Sequence, residues 1–207
     1  SLKLPFTSET NPALVHDYEK EALNVYLKDI RFDEQGRPII LYITSKGFES
    51  GPMNDPRTWM LAYWNSRKWR FLEITTSDNN YDMGSLYIDN DSWQVIGPTE
   101  TGPQPYNPGG EMALWESHNN GETWKKSKQL TRHSKRNHTY ARAPVNAHPD
   151  FYTLWADGHG RQPSESNLYF CNRDGDVYLL PRQMSEQFEK PTLIDPGASA
   201  NATKPNR

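Results

Sequence analysis

Short runs of apolar and aromatic positions, each closed by Gly, Pro, Asn or Asp, recur along this chain. Arg-Pro-Ile-Ile-Leu-Tyr-Ile-Thr (37–44), Thr-Trp-Met-Leu-Ala-Tyr-Trp (58–64) and Asp-Phe-Tyr-Thr-Leu-Trp (150–155) are rich in β-branched and ring side chains. Such segments predict strands separated by turns. Helical candidates are two short stretches, 22–28 and 183–190. The expectation is an all-β chain.

Aligning the turns exposes a repeat. Trp115 to Trp124 reads as a hairpin around Asn120-Gly121, Tyr63 to Trp69 as another, and Phe170 to Tyr178 as a third. The closing rings Trp69, Trp124 and Tyr178 are 55 and 54 residues apart. Two further strands precede each hairpin: 29–33 and 38–44, 85–89 and 93–100, 140–146 and 151–157. Four-stranded antiparallel units at this period predict β-propeller blades, here near 24–76, 80–131 and 137–181. Residues 1–23 read as a connecting segment. Residues 182–207 read as a tail that latches onto the first blade or stays free. A ring needs about four or more blades. About three therefore predict that the remaining blades come from the same longer chain or from another chain; a self-contained three-sheet domain is the alternative.

Composition narrows the function. The 23 Lys+Arg against 26 Asp+Glu give a net charge of -3, which argues against a nucleic-acid grip. Hydrophobic residues are only 34%, yet aromatic residues reach 12%, so rings carry the apolar area. No run approaches the roughly 18 apolar residues of a membrane span. The start, SLKLPFTSETNP, has no apolar signal core, so a targeting segment is expected to be removed or to lie upstream. The single Cys171 excludes an intrachain disulfide and a multi-cysteine metal site.

Ser117-His118-Asn119-Asn120-Gly121-Glu122-Thr123-Trp124 resembles the Asp-box of sialidase-type (BNR-repeat) propellers, S-x-D-x-G-x-T-W, with Asn119 in place of the usual Asp. Asn80 to Tyr87, Pro105 to Glu111, and Ala147 to Tyr152 through Leu168 to Phe170 resemble the BNR-4 group of that superfamily. The resemblance covers most of residues 14–181 and corresponds to the C-terminal part of such proteins. This group is similar to propeller polysaccharide lyases of uronic-acid glycans, such as ulvan lyases and rhamnosyl-glucuronate lyases. The resemblance implies seven blades in the complete ring, a groove at its axis, β-elimination by Tyr, His and Arg, an acidic polysaccharide or oligosaccharide as partner, and a secreted or periplasmic location.

Elimination from a uronate needs a cation for the carboxylate, a base for the adjacent proton and an acid for the departing oxygen. In the strand Asn137 to Arg142, His138, Tyr140 and Arg142 alternate, which predicts that all three project from one face. Tyr26, Tyr81 and Tyr140 open successive blades and are expected at a common mouth with Arg142 between them. Arg142 binds the carboxylate, His138 or His159 acts as base, and Tyr140 or Tyr81 as acid or base. Packing roles compete for Tyr26 and Tyr87, and an ion pair to Asp82 or Asp157 competes for Arg142.

Further candidates lie in loops. Asp157, His159 and Arg161 sit in Trp155-Ala156-Asp157-Gly158-His159-Gly160-Arg161, whose glycines suit a ligand-facing loop. Residues 97–110 hold four Pro and four Gly, a shaped rim with Tyr106 and Asn107 as sugar contacts. His16 is expected to reach the axis from the connecting segment, and His148 stands at a strand entry. Asn137, Asn90 and Asn201 open glycosylation sequons. No metal centre is predicted: His148 and His159 are too far apart in sequence, and 172–176 only superficially suggests a calcium loop. No cofactor is expected, with calcium or zinc left open. Two other functions stand beside the lyase: a non-catalytic glycan-binding propeller and a sialidase-like glycoside hydrolase.

Overall fold

A computed structural model describes residues 7–89 and 92–194. The sequon residues Asn90 and Asn201 and the end of the tail lie outside them. Thirteen strands build three sheets among the described residues. The first sheet is a meander of β1 (Asn24–Phe32), β2 (Pro38–Ser45), β3 (Arg57–Trp64) and β4 (Trp69–Ser77); the second is β5 (Ser85–Asp89), β6 (Ser92–Glu100), β7 (Glu111–Ser117) and β8 (Lys125–Gln129). The third is β9 (Asn137–Arg142), β10 (Thr153–Gly158), β11 (Leu168–Cys171) and β12 (Val177–Leu179), with β13 (Thr192–Ile194) added beyond β12. All pairings are antiparallel. Helix is limited to two short 3-10 turns, Tyr18–Glu21 and Pro52–Asn54. Three meanders in series fit a propeller-like fold.

Three expectations change. The helical candidate 22–28 begins with Ala22 in the left-handed region and continues as β1, and 183–190 has no regular helix. The β-branched and aromatic residues of 25–30 gain more from pairing with β2 than from a short helix. The tail supplies β13 to the third sheet, so its described part latches there and not onto the first blade. The Pro-rich segment 97–110 is strand through Glu100, and only the remainder is loop.

Each hairpin between the third and fourth strands turns on an asparagine. The Oδ1 atoms of Asn65, Asn119 and Asn172 accept from the backbone N–H of Lys68 (2.9 Å), Thr123 (2.9 Å) and Asp176 (2.7 Å). Asn side chains satisfy turn amides in this way without an ionised group.

Burial is concentrated between the sheets. Trp59, Leu41, Ile43 and Leu61 of the first sheet pack against Leu86, Trp93 and Val95 of the second. Ile96, Met112, Leu114 and Leu130 pack against Ala141, Trp155, Cys171 and Val177 of the third. Tyr87 locks the second interface, stacking on Tyr152 at 4.0 Å and donating to its carbonyl at 2.7 Å. The first strands thereby become neighbours. Asp29 and Arg31 on β1 bond the N–H and C=O of Leu86 on β5 (both 2.9 Å), and Ala141 on β9 donates to the Met83 carbonyl (3.2 Å).

Trp59 fits only because residues 84 and 97 lack side chains: a Cβ at Gly84 would lie 2.6 Å from its ring, and one at Gly97 2.8 Å. Gly84→Ala is expected to cost about 1–3 kcal/mol by overpacking. It should lower the urea midpoint without changing the slope. Gly158→Ala, whose nearest atom would be 3.7 Å away, should leave the midpoint nearly unchanged.

Candidate active site

The first strands carry two irregularities at the level where the sheets approach. On β1 the register skips Lys28, with Leu27 opposite Tyr42 and Asp29 opposite Leu41. On β9 three residue steps from Thr139 to Arg142 face two on β10, and Tyr140 has φ 59. Such bulges re-aim side chains. They gather Tyr26 and Lys28 from β1, Asn80 to Asp82 ahead of β5, and Tyr140 with Arg142 from β9.

The contacts are specific. The rings of Tyr26 and Tyr81 meet edge-to-face at 5.7 Å, and Lys28 Nζ lies 5.7 Å from the Tyr26 centroid. Lys28 Nζ also donates to the Asn80 carbonyl at 2.6 Å. The Arg142 guanidinium stands 6.0 Å from the Tyr140 centroid and makes no ion pair among the described residues. Neither Asp82 nor Asp157 pairs with it; Asp157 faces Arg136 at 3.5 Å. Tyr81 and Tyr140 are 56% and 59% exposed, so both phenols reach solvent.

Electrostatics favour an anion here. Burial pushes the Asp82 carboxyl well above the usual carboxylate range, although it accepts the Gly109 N–H at 2.6 Å. Burial lowers Lys28 to about 8, with Asp82 opposing and the Arg142 charge adding to the shift. Lys28, charged below about 8, and Arg142 are thus two neighbouring cations.

His138 does not join them. It sits ahead of the bulge, in the regularly paired part of β9 opposite Asp157, and is 3% exposed. Trp155 Nε1 donates to its Nδ1 at 2.9 Å, which leaves Nε2–H to donate to Ser134 Oγ at 2.9 Å; Ser134 Oγ donates on to Glu111 Oε2 at 2.8 Å. A second proton on Nδ1 would face the Trp155 N–H. Burial, above all, lowers His138 to about 4, against the pull of Glu111 and Asp157. The expected common face for His138, Tyr140 and Arg142 is therefore split, with His138 in the interior.

Other candidates are also re-sited. Asp157 is buried and accepts from the Asn167 backbone (2.6 Å) and Tyr169 Oη (3.2 Å), a structural knot. Asn107 is buried, which does not fit the expected role of a sugar contact. Asn137 is fully buried, and its side chain holds the 104–109 backbone, which rules out glycan attachment in the folded chain. His16 packs on Tyr18 (4.3 Å) and on Phe71 of the outermost strand (4.6 Å), and its Nε2 is bonded to Glu21. His148 is exposed in the β9–β10 connection, at the opposite end of that pair from His138. The turn 172–176 is closed by its own hydrogen bonds, and no cluster of three or more His, Cys, Asp or Glu among the described residues is placed to hold a metal.

The rim is formed by Tyr106, His159 and Arg161. Tyr106 is half-buried, its carbonyl accepting from Asn79 Nδ2 (2.8 Å) and Arg161 Nη2 (3.1 Å) and its N–H donating to Asp78 (3.0 Å). His159 Nδ1 accepts the Arg161 N–H at 3.3 Å. Sequence reasoning gave Lys28 no role. Its signal was a Lys two positions after Tyr26 on a first strand.

No family model matches the chain, and no curated protein does. Two solved structures of a PL25 ulvan lyase share its fold, one bound to -[GlcA(1-4)Rha3S]-. Each superposes with a TM-score of 0.54 at 19% identity, over 73% of this chain and 33% of the lyase chain. The chain thus spans about a third of the length of the lyase it matches. That likeness establishes a fold shared with a polysaccharide lyase.

The His138 site yields a pH signature. The unfolded chain takes up its imidazole proton near 6.5 and the folded chain only near 4, so stability falls as pH is lowered through that window. The full loss is about 3 kcal/mol. Thermal unfolding followed from pH 7 to pH 4 should show it, and His138→Gln should flatten the profile.

Proposed function

We propose that this chain is part of a carbohydrate-active propeller, a polysaccharide lyase that cleaves a uronic-acid-containing glycan by β-elimination. The observation that carries this reading is the convergence of two cations, Lys28 and Arg142, with two exposed phenols, Tyr81 and Tyr140. The fold shared with ulvan lyase supports it, as does the left-handed backbone at Tyr140, a conformation that costs about 1–3 kcal/mol and collects at functional positions.

In this mechanism Lys28 and Arg142 neutralise the uronate carboxylate, which acidifies the adjacent C–H. Tyr140, beside Arg142, is the base that takes that proton. The C–H electron pair becomes the new C=C bond, and the bond to the leaving sugar oxygen breaks. Tyr81 gives its proton to that oxygen. His159 and Arg161 on the rim contact flanking sugars. Further blades complete the ring: Val25, Leu27, Ile30 and Phe32 are exposed along β1, and Leu168 and Leu193 on the third sheet. A polymeric acidic substrate implies action outside the cytoplasm.

The test is ultraviolet absorbance of unsaturated uronate while the protein is incubated with a panel of uronic-acid polysaccharides. Arg142→Ala and Tyr140→Phe are each expected to lower the rate by about 10²–10⁴. A rate unchanged by both would place the chemistry elsewhere. Binding without any absorbance rise would make the protein a glycan-binding propeller or a hydrolase.

Lys28 adds a pH dependence. It is charged below about 8, so affinity for uronate oligosaccharides should fall as pH rises through that value. Lys28→Gln should bind more weakly and lose this step in a calorimetric titration.

A further inference from the structure

The segment that runs from β8 to the start of β9 concentrates positive charge in a chain that is acidic overall. Residues 125–136 hold six Lys or Arg together with His133 and no acid, whereas the whole chain has a net charge of -3. Three of these cations are paired: Lys126 with Glu100 (2.9 Å), Lys128 with Asp176 (3.0 Å) and Arg136 with Asp157 (3.5 Å). The lysines of β8 also have a structural account, because β8 is the edge strand of its sheet and lysines there discourage pairing with another chain. Arg132 and Lys135 have neither account. They lie beyond the strand, are exposed with His133 between them, and make no ion pair among the described residues.

The backbone that carries them is fixed. The buried Glu111 accepts from Thr131 Oγ1 (2.5 Å) and from the N–H and Oγ of Ser134 (2.8 Å each), and Gln104 Nε2 donates to the Lys135 carbonyl (3.1 Å). Thr131 and Ser134 are thereby drawn toward the interior, while residues 132, 133 and 135 face solvent. His133 is held in the left-handed region, φ 53, which for a side chain of this size needs such tethering. Two cations held close together on a rigid backbone with no acid beside them repel each other, an arrangement that a bound anion stabilises. The position is informative as well. Gln104 is bonded through its carbonyl to Asn137 Nδ2 (3.0 Å), and Tyr106, two residues later, accepts from Arg161 (3.1 Å). The segment therefore adjoins the rim, at the end of the sheets where the mouth opens.

We infer that Arg132 and Lys135, with His133 between them, form a second anion-binding subsite that holds a remote acidic sugar of the polysaccharide chain whose uronate occupies the mouth. This rests on the glycan reading above and adds to it a dependence on chain length. A long glycan engages both places at once, and its second contact is then intramolecular. A short one engages one place at a time.

The test is calorimetric titration of the full protein with a heparin tetrasaccharide and a heparin hexadecasaccharide, probes that carry uronates at two lengths. The longer probe should bind about tenfold more tightly or better. Arg132→Ala with Lys135→Ala should remove that advantage and change the tetrasaccharide affinity little. Arg67→Ala with Lys68→Ala, which takes the same charge from the exposed β3–β4 hairpin, should leave both affinities unchanged. Equal affinities for the two lengths, or equal losses from the two double variants, would overturn the subsite. Tighter binding of a single-stranded DNA of equal charge would overturn a polysaccharide as its occupant. Arg142→Ala separates the subsite from the reading beneath it. Tetrasaccharide binding lost in that variant keeps the mouth as a glycan site even where the length dependence fails. Tetrasaccharide binding that survives Arg142→Ala but is lost with Arg132 and Lys135 would overturn the glycan reading of the mouth, and no binding of either probe would overturn both.

Discussion

Trp59 is wedged, fully buried, between the first and second sheets, and two glycines set how closely the sheets meet. Its indole N–H is bonded to Ser77 Oγ at 2.9 Å, so the largest side chain at this interface is buried without an unmet donor. With the sheets at this separation, Asp29 and Arg31 can grip the backbone of Leu86, and Lys28 can reach the Asn80 carbonyl. A wider spacing would leave Lys28 in solvent as an ordinary lysine. The electrostatics of the mouth thus follow from core packing.

The second interface solves the same problem differently. Trp155 has no hydroxyl at hand, and its N–H is met by His138, which in turn needs Ser134 and Glu111. One buried indole therefore draws in a chain of polar groups, and satisfying that chain removes an imidazole from the groove. At the edges the sheets are joined more weakly. Arg70 with Glu122 and Lys128 with Asp176 link each fourth strand to the next hairpin, but all four are substantially exposed, and such pairs contribute about 0–1 kcal/mol. The Asn-centred turns fix where those hairpins point; the buried rings hold the sheets together.

Strand order and hairpin positions were legible because alternation and turn formers are local signals. Strands at 38–45, 57–64 and 153–158 lie close to the runs read from the sequence. The candidate site was legible only where alternation survives. It fails at Lys28 and Tyr140, since a bulge inserts one residue and reverses every later assignment on that strand, with no compositional mark. Hence Tyr140 and Arg142 reach the mouth while His138 does not. Asn107 and Asn137 misled for another reason. Amides in a Pro-Gly-rich loop suit sugar contact, but a loop with few of its own backbone pairs needs internal donors, and Asn137 supplies them.

The chain carries more acid than base, yet its mouth is positive. Counting charges cannot show this, because several of the acids are paired elsewhere. Asp33 is saturated by Arg37 and the turn it closes, Glu122 and Asp176 serve the hairpins, and Asp157 faces Arg136. Asp82, the carboxyl nearest Lys28, is suppressed by burial. The same desolvation acts on both groups, lowering Lys28 to about 8 and raising Asp82, in a region where screening by water is reduced.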